Sequence, residues 1–337
     1  MRLSVAGNLL IAGEYLVLRE GGLGLACAVE PRVRASAGPA DSWSVGATMG
    51  GEERSWSPPP YAEADAPAID ATRLPSLPVA AAVFAQAERL WREGGLETRP
   101  LRIELDSSAF FGPDGRKAGY GSSAASAVAL ALILGRAAGL DSDALKAFAL
   151  EAALLGHRGA QGGRGSGYDV YASAHGGLGL FVGGAHPSWR PLPDLKLPPA
   201  FLFPGPAPVA SADAVSRFHA WLERGGEGAQ AALRRGGEAV AALAGAEGLK
   251  EFARRLRETR ELGCTLGAAV GVPAELATPP GLETAIVKAS GAGDELGMAF
   301  FDGEKLGDAE AAGRFIEAGR NLGLRELKPA EGPLWLS

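Results

Sequence analysis

The stretch Lys117-Ala-Gly-Tyr-Gly-Ser-Ser-Ala-Ala125 runs without a break into Ser126-Ala-Val-Ala-Leu-Ala-Leu-Ile-Leu134. Two glycines and two serines thus lead directly into a helix-forming apolar run. Gly119 and Gly121 let the backbone curl so that successive N–H groups converge, and the helix that follows aims its positive dipole end at the same point. Ser122 and Ser123 add hydroxyls able to cap the first turn, touch a phosphate or reach a magnesium ion. The segment therefore reads as an anion site, with a ligand-free glycine turn as the plain alternative. The lysine-serine end of a P-loop is missing, so a P-loop NTPase is not supported.

Outward from this turn, the chain reads as alternating strands and helices. Residues 3–36 read as strands joined by tight turns, and 38–78, rich in Gly, Pro, Ser and Trp, as an irregular excursion with room for one short hairpin. Val79, Val83, Ala87 and Leu90 recur at helical spacing, which predicts a helix over 78–93 stopped by Gly94-Gly95. Leu101–Leu105 alternates as a half-buried strand. Helices are expected to about 138 and over 142–157, then a glycine-dense segment at 157–177 and a strand at 178–182. Five prolines across 187–199 mark 183–199 as a passage between domains. The second half reads as a strand near 200–204, helices at 212–224, 227–244 and 247–271, strands at 284–288 and 296–301, and a final helix at 307–322. Interleaved strands and helices give an α+β class with two domains, 1–185 and 186–337.

At 337 residues the chain is long enough for two cores. A net charge of −6 argues against coating nucleic acid or a membrane surface, so any phosphate must be met by a few local cations and N–H groups. Cys27 and Cys264 lie in apolar surroundings, show no disulfide or metal spacing, and are expected to be buried thiols. Arg2 before Leu-Leu-Ile imitates a signal sequence, but Asn8 and Glu14 interrupt the run. No stretch nears the length of a membrane span. A cytoplasmic protein is expected.

Further polar clusters accompany the turn. They are Val5–Leu18, with Asn8, Glu14 and Tyr15; His157-Arg-Gly-Ala-Gln-Gly-Gly-Arg-Gly-Ser-Gly-Tyr-Asp-Val170; and Val287-Lys-Ala-Ser-Gly-Ala-Gly-Asp294. Asp169 follows a Gly-Ser-Gly turn, where a carboxylate can approach a ligand without bulky neighbours; it can equally cap a helix at Val170. Arg158, Arg164 and Lys288 are the cations best placed for an anionic substrate, with solvation as the alternative for Arg158. Glu151 is a candidate metal carboxylate or a solvated helix charge.

Together these clusters resemble the galactose, homoserine, mevalonate and phosphomevalonate kinase superfamily over most of the chain. Gly13–Leu18 resembles its first motif, Gly119–Ala125 its second, and Lys288–Gly293 its third. Gln161–Val170, Asp106-Ser-Ser-Ala-Phe-Phe111 and Pro208-Val-Ala-Ser211 resemble the phosphomevalonate kinase branch.

The resemblance implies an N-terminal domain like that of ribosomal protein S5 joined to a ferredoxin-like C-terminal domain, with ATP and Mg²⁺ as cofactors in a cleft. It implies a nucleotide site at Lys117, Gly119, Tyr120, Gly121, Ser122, Ser123 and Ala124, metal ligands Ser123 and Glu151, and Asp169 as catalytic acid. A small phosphorylated substrate is expected at Asn8, Glu14, Tyr15, Gln161, Arg164, Gly165, Ser166, Lys288, Ser290, Gly291 and Ala292. No nucleic-acid or membrane partner is expected, and the protein is read as a monomer or homodimer.

Two features depart from the family. Asn8 stands where Lys is usual, and the third motif is a residue short, with Asp294 after Gly293. A phosphomonoester acceptor, with a second pKa near ~6, is largely ionised at neutral pH and needs little help with deprotonation. Loss of the lysine should therefore hurt a phosphate acceptor less than an alcohol.

Overall fold

The computed structural model describes residues 1–58, 76–206, 211–272, 274–291, 295–303 and 309–336. Strands are β1 (Arg2–Ala12), β2 (Leu23–Pro39), β3 (Ser44–Met49), β4 (Glu52–Trp56), β5 (Leu101–Asp106), β6 (Leu178–Val182), β7 (Ser188–Pro191), β8 (Ala200–Pro204), β9 (Ile286–Ala289), β10 (Leu296–Phe300), β11 (Arg325–Glu326) and β12 (Leu334–Trp335). Helices are α1 (Pro78–Gly94), α2 (Ser122–Ala137), α3 (Ser142–Ala160), α4 (Tyr168–His175), α5 (Ser211–Arg224), α6 (Gly226–Ala244), α7 (Leu249–Val270) and α8 (Ala309–Asn321). The class is mixed α and β, as the interleaved pattern predicts.

The chain packs as two compact units that interleave in sequence. One comprises Met1–Asn8, Glu30–Gly176 and Glu331–Ser337, the other Leu9–Val29 and Gly177–Ala330. The sequence predicts a single boundary at 185/186.

In the first unit the strand order is β12-β1-β2-β5-β3-β4. β2 and β5 are antiparallel with Arg34 opposite Asp106, and β3 runs parallel to β5 with Val45 opposite Ile103. α1, α2 and α3 pack on one another. α2 is buried nearly all round, from Ala124 to Gly135 apart from Ser126, because alanines and glycine let its neighbours close in. A side chain at Gly135 would strike Leu145 and Phe148, and one at Gly156 would strike the Val83 backbone. Trp43, Phe84, Trp91 and Phe148 stack edge-on and face-on beside these helices. Truncating fully buried Phe84 to alanine should cost about 3–5 kcal/mol.

In the second unit β6 pairs with Leu23–Cys27 of β2 and with β7, and a four-stranded antiparallel sheet runs β11-β8-β10-β9. Phe201, Phe203, Leu282, Val287, Phe301 and Phe315 form its core. Gly319 of α8 sits so close to the Phe201 ring that a Cβ would overlap it.

Two expectations need correction. The segment 183–199 is no bare passage, because its residues 188–191 form β7; Pro191 pairs with Gly179 on a strand that among the described residues pairs with β6 alone, the position where proline is tolerated. The glycine-dense run 157–177 contains α4, an eight-residue helix that includes the Val170 turn allowed for in the sequence. Cys27 is fully buried, with its thiol pushed up to about 12 by desolvation, but Cys264 is only half-buried. The hairpin allowed for in 38–78 is β3–β4; 59–75 lies outside the described residues.

Candidate functional site

Gly119 and Gly121 both adopt left-handed backbone, at φ 77° and 70°, and Gly121 immediately precedes α2. Asn8 of β1 fixes this turn in place. Its N–H donates to the Tyr120 carbonyl at 2.9 Å, and its Nδ2 donates to the Gly121 carbonyl at 3.2 Å and to Ser173 Oγ at 3.0 Å. Asn8 is 3% exposed, so both carbonyls and the α4 serine are held by one buried residue. Gly121 cannot carry a side chain here, since a Cβ would lie 2.3–2.5 Å from the Asn8 amide.

With the turn so fixed, no acceptor among the described residues takes the N–H groups of Ser122, Ser123 and Ala124. Unpaired N–H groups and the helix dipole add at this end of α2. A cavity of about 240 Å³ opens there, lined by Lys117, Ser122 and Ser123 on its polar side and by Met49, Leu77 and Leu130 among its apolar walls. The combination suits a ligand with an anionic end and a flat apolar body. Arg54 and Ser107 also line the cavity and were not singled out in the sequence as ligand contacts. They come from β4 and the end of β5, so only the sheet order reveals them.

The 157–169 cluster reaches the same turn through His157. This imidazole is 2% exposed; its Nε2 lies 3.1 Å from Ser123 Oγ and its Nδ1 3.5 Å from Asp169 Oδ2. The other Asp169 oxygen accepts the Val170 N–H at 2.9 Å, so the carboxylate both caps α4 and faces the histidine. Asp169 stays partly accessible, at 21%.

Gly167 precedes α4 with φ 86°, and a Cβ there would lie 2.2 Å from Leu154. Ser166 is buried, and its carbonyl accepts Arg158 Nη2 at 2.5 Å. Arg158 is thus a brace for the Gly-Ser-Gly turn, and burial pulls its guanidinium down while Tyr171 and Asp169 oppose that. Gln161 folds over Gly165, with its Nε2 3.4 Å from His157 Nε2. Arg164 is exposed.

Glu151, expected beside Ser123, is half-exposed and paired with Arg89 at 2.6 Å, in a surface network that includes Glu93. The carboxylate tied to Ser123 is instead Asp169, through His157. No cluster of three or more His, Cys, Asp or Glu able to hold a metal occurs among the described residues. A magnesium held mainly by nucleotide phosphates needs only one or two protein oxygens, and Ser123 Oγ, which lines the cavity, can supply one.

In the second unit Glu14 and Lys288 form a buried ion pair, 7% and 4% exposed, and the Lys288 ammonium also donates to the Ala289 carbonyl at 3.1 Å. Its charge is neutralised within the protein. Tyr15, at φ 65°, stacks on Phe218 with ring centroids 5.4 Å apart. Ser290 Oγ donates to the Leu10 carbonyl at 3.4 Å, and Gly291 is buried at φ 71°. Ala292, like 208–210, lies outside the described residues.

The turn-then-helix geometry of the first unit suits an anion. Residues 79–177 match the family of GHMP kinases N terminal domains. The chain as a whole has the GHMP kinase fold. It is similar, at 20% identity and TM-score 0.79, to a Lin0012 protein from Listeria innocua, covering 99% of this chain and 98% of that one. It is similar, at 18% identity and TM-score 0.70, to Streptococcus pneumoniae phosphomevalonate kinase in complex with phosphomevalonate and AMPPNP, covering 98% and 99%. A mevalonate kinase from L. major in complex with R-mevalonate matches at 14% identity and TM-score 0.62, covering 99% and 96%. No curated protein matches the sequence. No described helix is long and apolar enough to cross a membrane.

Proposed function

We propose that the protein is an ATP-dependent kinase that converts 5-phosphomevalonate to its 5-diphosphate, acting as a cytoplasmic monomer or homodimer on the mevalonate route to isoprenoids. The observation that carries the reading is the cavity at the start of α2. Ser122, Ser123 and Lys117 line it and offer N–H groups and an ammonium to an anion, and the apolar wall of Met49, Leu77 and Leu130 would accept a base. Likeness to a phosphomevalonate kinase holding phosphomevalonate and AMPPNP supports the acceptor. The domains would be 1–185 and 186–337, with ATP over the 119–124 turn.

Phosphoryl transfer depends mostly on positioning and charge neutralisation. An oxygen of the acceptor phosphate bonds to the γ-phosphorus as the bridge to the β-phosphate breaks, and ADP leaves with that electron pair. The N–H groups of α2 and Lys117 hold the nucleotide phosphates. Asp169 orients the acceptor and takes a residual proton where the acceptor is still singly protonated. Ser123 would hold magnesium, which when bound would supply further neutralisation of the phosphates. Glu14, Tyr15, Gln161, Arg164, Gly165, Ser166, Ser290 and Gly291 are proposed as acceptor contacts. Lys288 would act there through Glu14, since its own charge is spent.

A second reading is favoured by one observation. Asn8 fills the place of the usual motif-one lysine and spends both its amide protons on the protein, as befits a silent relative that binds nucleotide without transfer. A coupled ADP-release assay with phosphomevalonate, mevalonate and a panel of sugars separates these readings. Turnover on phosphomevalonate alone is expected. Turnover on mevalonate or a sugar instead refutes the acceptor, and silence with every acceptor favours the second reading.

A further inference from the structure

We propose that the second unit holds a binding site of its own for a small neutral aliphatic alcohol, whose hydroxyl donates to the unused oxygen of Glu14. A cavity of about 180 Å³ lies there among Gly13, Glu14 and Leu16, Trp221 of α5, and residues of α6 and α7. Leu16, Val240 and Leu266 give it apolar walls, and all three are buried. Two charged residues line it, Glu14, which is buried, and Arg235, which is exposed.

The Glu14 carboxylate is half used. Its Oε1 accepts the Lys288 ammonium, and no described residue donates to Oε2. Oε2 lies beside Gly263 of α7, where an added Cβ would stand 3.3 Å from it. A carboxylate 7% exposed with an idle oxygen calls for a donor, because buried acceptors are almost always matched. The neighbouring hydroxyls do not supply one. Thr259 gives its proton to the Leu256 carbonyl at 2.9 Å, and Thr265 gives its own to the Glu261 carbonyl at 2.8 Å. Glycine inside a helix costs stability relative to alanine, and at 263 it leaves Oε2 open to a ligand.

Charge selects the head group. Glu14 and Lys288 already cancel, so an ammonium at Oε2 would bury a net positive charge and a carboxylate would meet a like charge. A hydroxyl adds a donor without a charge, and its bond to a carboxylate is of the stronger kind. Size and walls select the body. An apolar cavity of about 150 Å³ accommodates benzene, so one of about 180 Å³ suits an aliphatic body of similar bulk. The site goes beyond the kinase reading, since its ligand carries no phosphate and needs no nucleotide.

The test is binding to the full chain without nucleotide, read by ligand-observed NMR titration with four probes on nearly one skeleton. 3-Methylbutan-1-ol should bind with a dissociation constant of about 1 mM, within reach of so small a ligand. Isobutyl methyl ether, its isomer without a donor, should bind ~tenfold more weakly. 3-Methylbutan-1-amine, as its ammonium, and 3-methylbutanoate should also bind more weakly than the alcohol. An ether as tight as the alcohol, a tighter ammonium or carboxylate, or no saturable binding of the alcohol would each overturn the proposal.

Gly263→Ala sets a methyl group against Oε2 while favouring the helix, so it should weaken the alcohol by ~tenfold and the ether less. Gly237→Ala on α6 meets nothing within 4 Å and should change neither. Unchanged alcohol affinity in Gly263→Ala would place the binding elsewhere and overturn the proposal. If that variant misfolds, the four probes on the native protein still decide. Absence of ADP release with every acceptor sinks the kinase reading alone, and failure of the alcohol to bind leaves that reading standing.

Discussion

Asp169 has two partners and one accessible edge, and its position separates catalysis from binding. It sits at the start of α4 and not on the 119–124 turn, so Asp169→Asn should leave nucleotide affinity nearly unchanged. The amide still accepts the Val170 N–H and so spares the helix, while turnover should fall by ~100-fold or more, the range of a lost acid–base group. Steady-state kinetics beside calorimetric nucleotide binding checks this; unchanged turnover would reduce Asp169 to a cap. Asn8 offers the complementary test. It is buried and holds Gly121 and Ser173, so its removal would leave a buried carbonyl and hydroxyl short of a donor, at about 1–3 kcal/mol. In Asn8→Lys the ammonium can still donate to both, and with an already ionised phosphate acceptor it should raise kcat by less than ~tenfold. A gain of ~100-fold, equivalent to roughly 2.7 kcal/mol of transition-state stabilisation, would mean that the acceptor is an alcohol or that the native protein has lost its activity at this position. The sequence motifs made Asp169 and Asn8 conspicuous. They left the role of His157 open, since its significance lies in which serine it touches across the fold.

At the scale of the element, α2 carries the nucleotide reading, and its first turn can be broken in two graded ways. Ser123→Ala removes one hydroxyl and leaves every N–H group in place, so nucleotide binding should weaken by ~tenfold at most, the worth of a single hydrogen bond. Gly121→Val places a branched side chain at φ 70° and against the Asn8 amide. The turn must then rearrange, and affinity should fall well beyond the serine variant. Calorimetry on protein shown to be folded by circular dichroism decides the order; equal affinity in Gly121→Val would remove the site from this turn. The turn was legible because glycine and serine spacing before an apolar run encodes its own local conformation. The long helices were legible for the same local reason, with α1 and α6 within a residue or two of the periodicity. What escaped was tertiary. β7 is disguised by prolines tolerable only beside a single partner strand, and Lys288 looked like a free cation until the fold set Glu14 against it.

The whole molecule is divided unusually for a chain whose sequence suggests two successive halves. β1 supplies residues 2–8 to one unit and 9–12 to the other, and β2 supplies 23–29 and 30–39 in the same way. A strand cannot keep its ladder in one unit while its continuation loses order without fraying both, so the units should not melt separately. Urea unfolding followed by tryptophan fluorescence and by circular dichroism should give coincident single transitions. Because the proposed nucleotide contacts lie in the first unit, a ligand that binds only the folded state should lift that one transition as a whole. At free ATP analogue 100 times its dissociation constant the gain is about 2.7 kcal/mol, read as a shift in midpoint at constant slope. Two resolved transitions, with only one moved by the analogue, would show that strand sharing does not couple the units. A single transition that the analogue fails to move would count against nucleotide binding itself.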